Sequence, residues 1–62
     1  MKLENWYMVQ LSQPILIGKV YGHERLPNGV EFHTNYITHI DFNEKLAYTE
    51  REVFKLGEVD SV

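Results

Sequence analysis

Apolar residues in this chain recur in short runs that alternate with polar positions, a pattern typical of β-strands. In the most informative run, residues 15–25, the apolar stretch Ile15-Leu16-Ile17 is followed by cationic, aromatic and hydrogen-bonding side chains. Because side chains on a strand alternate between its faces, one face of this run is expected to carry Lys19, Tyr21, His23 and Arg25. We predict that residues 15–25 form one extended strand around which the domain is organised.

The other apolar runs are also short and are separated by turns, and no helical period persists long enough to define a helix. Residues 26–29, with the sequence Leu-Pro-Asn-Gly, favour a turn, so a hairpin to a strand at residues 30–34 is predicted. A second hairpin is predicted from residues 46–49 and 52–56, with a loop longer than two residues around Glu50 and Arg51. Five to six short strands indicate an all-β fold, either a small antiparallel barrel or a curled two-sheet, SH3-like domain.

The chain has 62 residues, and we predict a single β domain over residues 1–62. Within it, residues 1–13 are expected to form an N-terminal strand or arm, and residues 58–62 a frayed tail. The run that begins at Trp6 is apolar on both faces. Either this strand is buried on both sides by its own chain, or a partner subunit covers one side.

Size favours a partner subunit. A core this small contributes only about 3–5 kcal/mol unless disulfides, metals or assembly add to it. The chain has no cysteine, so disulfides and thiolate metal sites are excluded. We therefore predict a homo-oligomer, with Trp6, Tyr7 and Met8 in the interface.

The net charge of −3 argues against several classes of partner. An acidic chain with six lysines and arginines lacks the positive surface that a nucleic-acid polymer requires. No apolar run has the length of a membrane span, and the first residues lack the apolar stretch of a signal peptide. We expect a soluble cytoplasmic protein that binds neither a nucleic-acid polymer nor a membrane.

Catalytic motifs are missing from the sequence: it has no glycine-rich phosphate loop, nucleophile elbow or helical pair of metal ligands. His23, His33, His39 and Asp41 are metal-ligand types, but their spacing matches no standard zinc arrangement. Surface histidines that bond to their neighbours are the simpler interpretation. We predict a protein that is not an enzyme and has no catalytic residue, metal or cofactor.

The polar end of the run at residues 15–25 indicates a binding site for a small phosphorylated ligand. An ammonium, an imidazole and a guanidinium can hold phosphate oxygens, and a tyrosine can stack on a base. Thr34 and Asn35, carried by the neighbouring strand, add hydroxyl and amide contacts. The predicted ligand-binding residues are therefore Lys19, Tyr21, His23, Arg25, Thr34 and Asn35. The alternative is a solvated strand face on which Lys19 and Arg25 keep an edge soluble.

The same residues resemble a pattern in small uncharacterised phage and bacterial proteins. That pattern is Gly-x-Val-x-x-His-x-Arg, then Asn/Asp-Gly, then Thr-Ser/Asn-x-Ile, and here it falls on Gly18 to Arg25, Asn28-Gly29 and Thr34 to Ile37. The similarity extends over about residues 15–57. Asn28 stands where aspartate is usual, and Asn35 where serine is usual.

The resemblance implies a phage or prophage context but no established activity. Small phage proteins often bind a host defence protein or sequester a nucleotide signal. The resemblance therefore implies an anti-defence protein in the host cytoplasm. Such a protein would be either an oligomeric sponge for a cyclic nucleotide immune signal or an SH3-like module that inhibits a host defence protein.

Overall fold

The computed structural model describes residues 1–10 and 12–60, and these residues form an all-β fold, as predicted. The strands are β1 (Lys2–Val9), β2 (Ile15–Tyr21), β3 (Val30–His33), β4 (His39–Asp41), β5 (Leu46–Tyr48) and β6 (Val53–Leu56). Both predicted hairpins are present, because β2 pairs with β3 and β5 pairs with β6, each antiparallel. Residues 49–52 connect β5 to β6, so this loop is longer than two residues, as expected. The described part of the chain has no helix long and apolar enough to cross a membrane.

The strands form a single sheet in the order β3-β2-β1-β6-β5-β4. Two antiparallel meanders, β1-β2-β3 and β4-β5-β6, join where β1 runs parallel to β6 and Leu3 lies beside Leu56. The sheet is therefore mixed and open, whereas an antiparallel barrel was among the predicted folds. The local pattern along the chain cannot show this pairing, because it joins the first strand to the last.

The connection between the two edge strands requires the sheet to curl. Residues 34–38 link β3 at one edge to β4 at the other, and a link of this length spans at most about 20 Å. A flat sheet of this many strands would be about 24 Å wide. The curl brings Phe32 of β3 to Phe54 of β6, with 5.7 Å between their ring centroids.

A β-bulge in β1 determines which face each of its residues takes. Glu4 pairs with Lys19 and Tyr7 with Ile17, so Asn5 and Trp6 together oppose Gly18. Asn5 adopts a φ of 50°, in the left-handed region that asparagine tolerates better than most residues. Leu3 and Trp6 are three residues apart and would face opposite sides of a regular strand. The extra residue places both of them in the core.

The core fills the concave side of the curled sheet. Its buried apolar residues come from both meanders: Leu3, Trp6, Leu16, Val20, Ala47, Phe54 and Leu56. Partly buried residues pack around them, namely Met8, Val30, Phe32, Ile37 and Ile40. The inner face of every strand is therefore used, and the opposite side of the sheet is the outer face.

The end of the chain differs from the expected frayed tail. Residues 58–60 lie along β1: the Trp6 amide donates to the Glu58 carbonyl (3.2 Å), and the Asp60 amide donates to the Trp6 carbonyl (2.8 Å). The Glu58 amide also donates to Glu4 Oε1 (2.8 Å). Residues 61 and 62 lie outside the described residues.

Replacing Gly18 by alanine is expected to destabilise the fold. A Cβ at this position would lie 2.8 Å from the Glu4 carbonyl oxygen and 3.1 Å from Trp6 Cα. The backbone of β1 would therefore have to move to make room for it. Overpacking of this kind costs about 1–3 kcal/mol of unfolding free energy. Urea unfolding measures this loss, with Lys19→Ala on the exposed face of the same strand as the control, expected within about 0.5 kcal/mol of wild type. A Gly18→Ala protein as stable as wild type would contradict the close contact at the bulge.

Glu4 makes the attachment of the C-terminal segment pH-dependent. The hydrogen bond from the Glu58 amide, followed by Lys2 at 3.3 Å, lowers the pKa of Glu4 below its ordinary value of 4.5. This stabilisation is therefore present above pH 4.5 and is lost as pH falls through the lowered pKa of the folded protein. We expect wild type to lose more stability than Glu4→Gln when urea unfolding is followed from neutral pH to about pH 3. Equal losses in the two proteins would show that this carboxylate does not anchor the segment.

Candidate functional site

Lys19 and Tyr21 lie on the outer face of β2, as predicted, and both are exposed. The cross-strand neighbours of Lys19 are Glu4 on β1 and Glu31 on β3. Its ammonium group therefore has a carboxylate on each adjacent strand. Because these carboxylates offset its charge, Lys19 alone is poorly suited to attract an anion.

His23 and Arg25 do not continue this face, so the predicted set of four residues is divided. The strand ends at Tyr21, and Gly22 adopts a φ of 79° that redirects the chain. Beyond it, the half-buried His23 ring packs against Phe32 of the core, with 5.5 Å between ring centroids. The prediction of one extended strand over residues 15–25 is therefore wrong after Tyr21, because the alternation of faces does not continue through a positive-φ turn.

The Gly22 turn creates a separate cavity of about 490 Å³, lined by Met1, Gly22, His23, Glu24, Arg25 and Glu52. The Gly22 amide donates to Asn28 Oδ1 (2.9 Å), and the Arg25 amide donates to His23 Nδ1 (3.0 Å). Two carboxylates share this cavity with one guanidinium. This composition opposes the binding of a phosphate.

Thr34 and Asn35 lie at the other end of the β2–β3 hairpin. Thr34 is buried: its Oγ1 accepts from the Leu16 amide (2.9 Å) and donates to the Asn35 carbonyl (2.7 Å). Its hydroxyl is therefore committed to holding the chain. Leu16 and Tyr21 are separated by on the order of 16 Å along the strand, so Thr34 and Asn35 do not join Tyr21 in one site.

The three predicted interface residues have different positions. Trp6 is buried and donates from Nε1 to the Gly57 carbonyl (3.1 Å), and Met8 packs against the core. Only Tyr7 points outward, with 44% of its surface exposed. Trp6 and Met8 are therefore not surface anchors, because the bulge turns them inward.

Tyr7 instead belongs to an apolar cluster on the outer face, which we name the outer patch. Tyr7 pairs with Ile17 and Val9 pairs with Ile15, so two adjacent pairs across β1 and β2 are apolar. On β3, His33 lies beside Ile17 at the edge of this cluster. Val9, Ile15 and Ile17 are half-buried although the core lies on the opposite face. No interface role was predicted for Val9, Ile15 or Ile17, although the unbroken apolar run at the start of β2 was the signal for one.

A polar cavity of about 670 Å³ lies at the end of the sheet where Asn35 emerges, and we name it the Arg51 cleft. It is lined by Gln13, Asn35, Tyr36, Ile37, Thr38, Glu50 and Arg51. Arg51 forms no salt bridge with a carboxylate in residues 1–10 or 12–60. Of the six predicted ligand-binding residues, only Asn35 contributes to this cleft.

Two buried threonines fix the walls of the Arg51 cleft. Thr34 holds the Asn35 carbonyl on one wall, and on the other Thr49 Oγ1 accepts from the amides of Arg51 (3.2 Å) and Glu52 (3.0 Å). Thr49 was not predicted to have a role. A threonine followed by charged residues in a turn is the local signal for this geometry.

Backbone hydrogen bonds tie the segment between these walls to the sheet on both sides. The Ile37 amide donates to the Pro14 carbonyl, and the Thr38 amide donates to the Tyr48 carbonyl, each at 2.8 Å. The Thr38 hydroxyl also donates to the Tyr48 carbonyl (3.2 Å). The backbone of this segment is therefore held in place without a ligand.

The remaining histidines and Asp41 each contact different neighbours. His33 Nε2 is 3.7 Å from a carboxylate oxygen of Glu31, and the His39 ring packs on Tyr48 with 5.7 Å between centroids. Asp41 accepts hydrogen bonds from the amides of residues 43 and 44 at the turn between β4 and β5. In residues 1–10 and 12–60, no three side chains of metal-binding type are grouped to hold an ion.

No family model matches this chain, and no curated protein or solved structure is significantly similar to it. The comparisons therefore assign no function, and what the protein can bind must be inferred from its own surfaces.

Proposed function

We propose that this protein is a non-catalytic binding module that self-associates through the outer patch. The observation that carries this proposal is the apolar outer face formed by Tyr7, Val9, Ile15 and Ile17. Strands in an antiparallel sheet normally present polar residues on the side away from the core. An apolar second face in so small a domain is explained when another surface covers it.

The charges beside the outer patch support a second copy of the chain as that surface. Lys2 and Lys19 lie with Glu4 and Glu31 in rows next to the apolar residues, and their formal charges sum to zero. A two-fold axis through this region can place a lysine of one copy near a carboxylate of the other, because the same mixed charges are present on both copies. The chain as a whole carries −3, so a neutral face minimises repulsion between copies.

We further propose that the assembled protein sequesters a small phosphorylated ligand, such as a cyclic nucleotide immune signal, as a phage anti-defence protein in the host cytoplasm. The resemblance of residues 15–57 to small phage proteins supports this context. Arg51 supports the chemistry, because it lines a cavity and forms no salt bridge with a described carboxylate.

A second candidate function is an SH3-like protein-interaction module that binds and inhibits a host defence protein. The curled all-β sheet, similar in size and strand number to small barrels, favours it, as does the exposed Tyr7 in the outer patch. The two candidates differ in what covers the outer patch: a second copy in the first, a host protein in the second.

Ile17→Lys is expected to dissociate the assembly without unfolding the chain, because it places a charge in the centre of an apolar interface. Sedimentation should show wild type as a dimer or larger at micromolar concentration and Ile17→Lys as a monomer, with circular dichroism confirming its fold. Phe42→Ser is the matched control, since Phe42 is 71% exposed but lies outside the patch. A wild-type protein that is a folded monomer would contradict self-association. Assembly like that of wild type in both Ile17→Lys and a second patch variant, Tyr7→Ser, would contradict self-association through this face.

Calorimetry of wild type against mononucleotides and cyclic dinucleotides tests the proposed sequestration. We expect saturable binding of at least one nucleotide, and no binding of the corresponding unphosphorylated nucleoside, because an arginine recognises phosphate. If no nucleotide in the panel binds, sequestration fails and the protein-interaction module is favoured.

A further inference from the structure

We propose that the Arg51 cleft is the nucleotide site and that it takes a guanine nucleotide. This inference rests on the proposed sequestration of a phosphorylated ligand and identifies where that ligand binds. It replaces the site expected around Lys19, Tyr21, His23 and Arg25, whose side chains the Gly22 turn divides.

The size and rigidity of the cleft fit a small ligand. Its volume of about 670 Å³ lies within the range of about 300–1,000 Å³ that is usual for ligand pockets. Thr34 and Thr49 fix its two walls, and the hydrogen bonds of residues 37 and 38 fix the segment between them. The chain's own hydrogen bonds therefore order the backbone of the cleft, which lowers the cost of ordering it on binding.

The two charged side chains of the cleft offer different chemistry to a ligand. Arg51 and Glu50 both line it, yet no salt bridge joins them. The guanidinium is free to make paired hydrogen bonds to a phosphate. The Glu50 carboxylate oxygens accept hydrogen bonds, so they favour a group that carries several donors. Guanine has N1–H and an exocyclic amine on one edge, whereas adenine has only its exocyclic amine there.

The uncharged residues of the cleft complete the recognition of a nucleotide. Tyr36 is 57% exposed, and its ring packs on no other ring in the described residues, so it can stack on a base. No hydrogen bond involves the side-chain amides of Gln13 and Asn35 within the described chain, so both can reach the base or the ribose. The half-buried Ile37 supplies an apolar contact.

The cavity at Arg25 is less suited to this ligand. It has two carboxylates, Glu24 and Glu52, against a single guanidinium, and its His23 ring already packs on Phe32. Arg25 is therefore the matched control for Arg51. Both arginines are exposed, lie outside the strands and line a cavity.

Calorimetry with GMP and AMP tests the assignment on wild type, Arg51→Ala, Arg51→Lys, Glu50→Gln and Arg25→Ala. We expect wild type to bind GMP more tightly than AMP, and Arg51→Ala to weaken GMP binding by about tenfold or more, since a charged hydrogen bond to phosphate is lost. Arg51→Lys should bind with intermediate affinity, Glu50→Gln should reduce the preference for GMP over AMP, and Arg25→Ala should match wild type. Circular dichroism confirms that each variant is folded.

The results distinguish a wrong site from a wrong function. If wild type binds nucleotides and Arg51→Ala binds them equally well, or if Arg25→Ala alone loses binding, the cleft assignment is overturned while sequestration stands. If wild type binds AMP as tightly as GMP and Glu50→Gln changes nothing, the guanine assignment is overturned. If wild type binds no nucleotide, sequestration itself fails.

Discussion

The rest of the structure depends on the contact between the β1 bulge and the bare backbone of Gly18. Two residues, Asn5 and Trp6, lie opposite one, and the missing Cβ of Gly18 leaves room for the backbone of Glu4 and Trp6. The bulge shifts the alternation of faces by one position. As a result, Trp6 points inward with Leu3, and Tyr7 points outward.

The bulge also organises both sides of the central strand. On one side, the pairing of β1 with β2 shifts by one residue after the bulge, so that Ile15 and Ile17 lie beside Val9 and Tyr7. On the other side Trp6 bonds through its backbone to residues 58–60, so the ends of the chain are joined in the middle of the sheet. The core and the outer patch are therefore two consequences of one local irregularity. This explains how a short chain can have an internal core and still present a second apolar face.

The elements defined by local chemistry could be predicted from the sequence. The turn at Pro27-Asn28-Gly29 and the loop at Glu50-Arg51 depend on residues that are adjacent in the chain, and both hairpins form where they were predicted. Strand composition was likewise sufficient for the all-β class. The parallel pairing of Leu3 with Leu56 depends on residues from opposite ends of the chain, so neither this pairing nor the open, mixed sheet could be predicted.

The candidate sites were harder to predict than the fold, because two backbone torsions redirect the predicted residues. Asn5, with its positive φ, lies in the bulge that turns the predicted interface residues Trp6 and Met8 inward, and the positive φ of Gly22 separates His23 from Lys19. Strict alternation of faces assigns these side chains wrongly wherever a bulge or a left-handed turn intervenes. The Arg51 cleft combines residues from three loops, and no spacing along the chain brings them together.

The chain contains a single tryptophan, so the emission of Trp6 is the most direct test of the bulge. The measurement is quenching of this fluorescence by acrylamide in dilute, folded protein, compared with the urea-unfolded chain. A buried Trp6 whose indole N–H bonds to Gly57 predicts slow quenching in the folded state that does not depend on protein concentration. Quenching as fast as in the unfolded chain, or protection that appears only at concentrations where copies assemble, would place Trp6 on the surface and contradict the inward turn of β1.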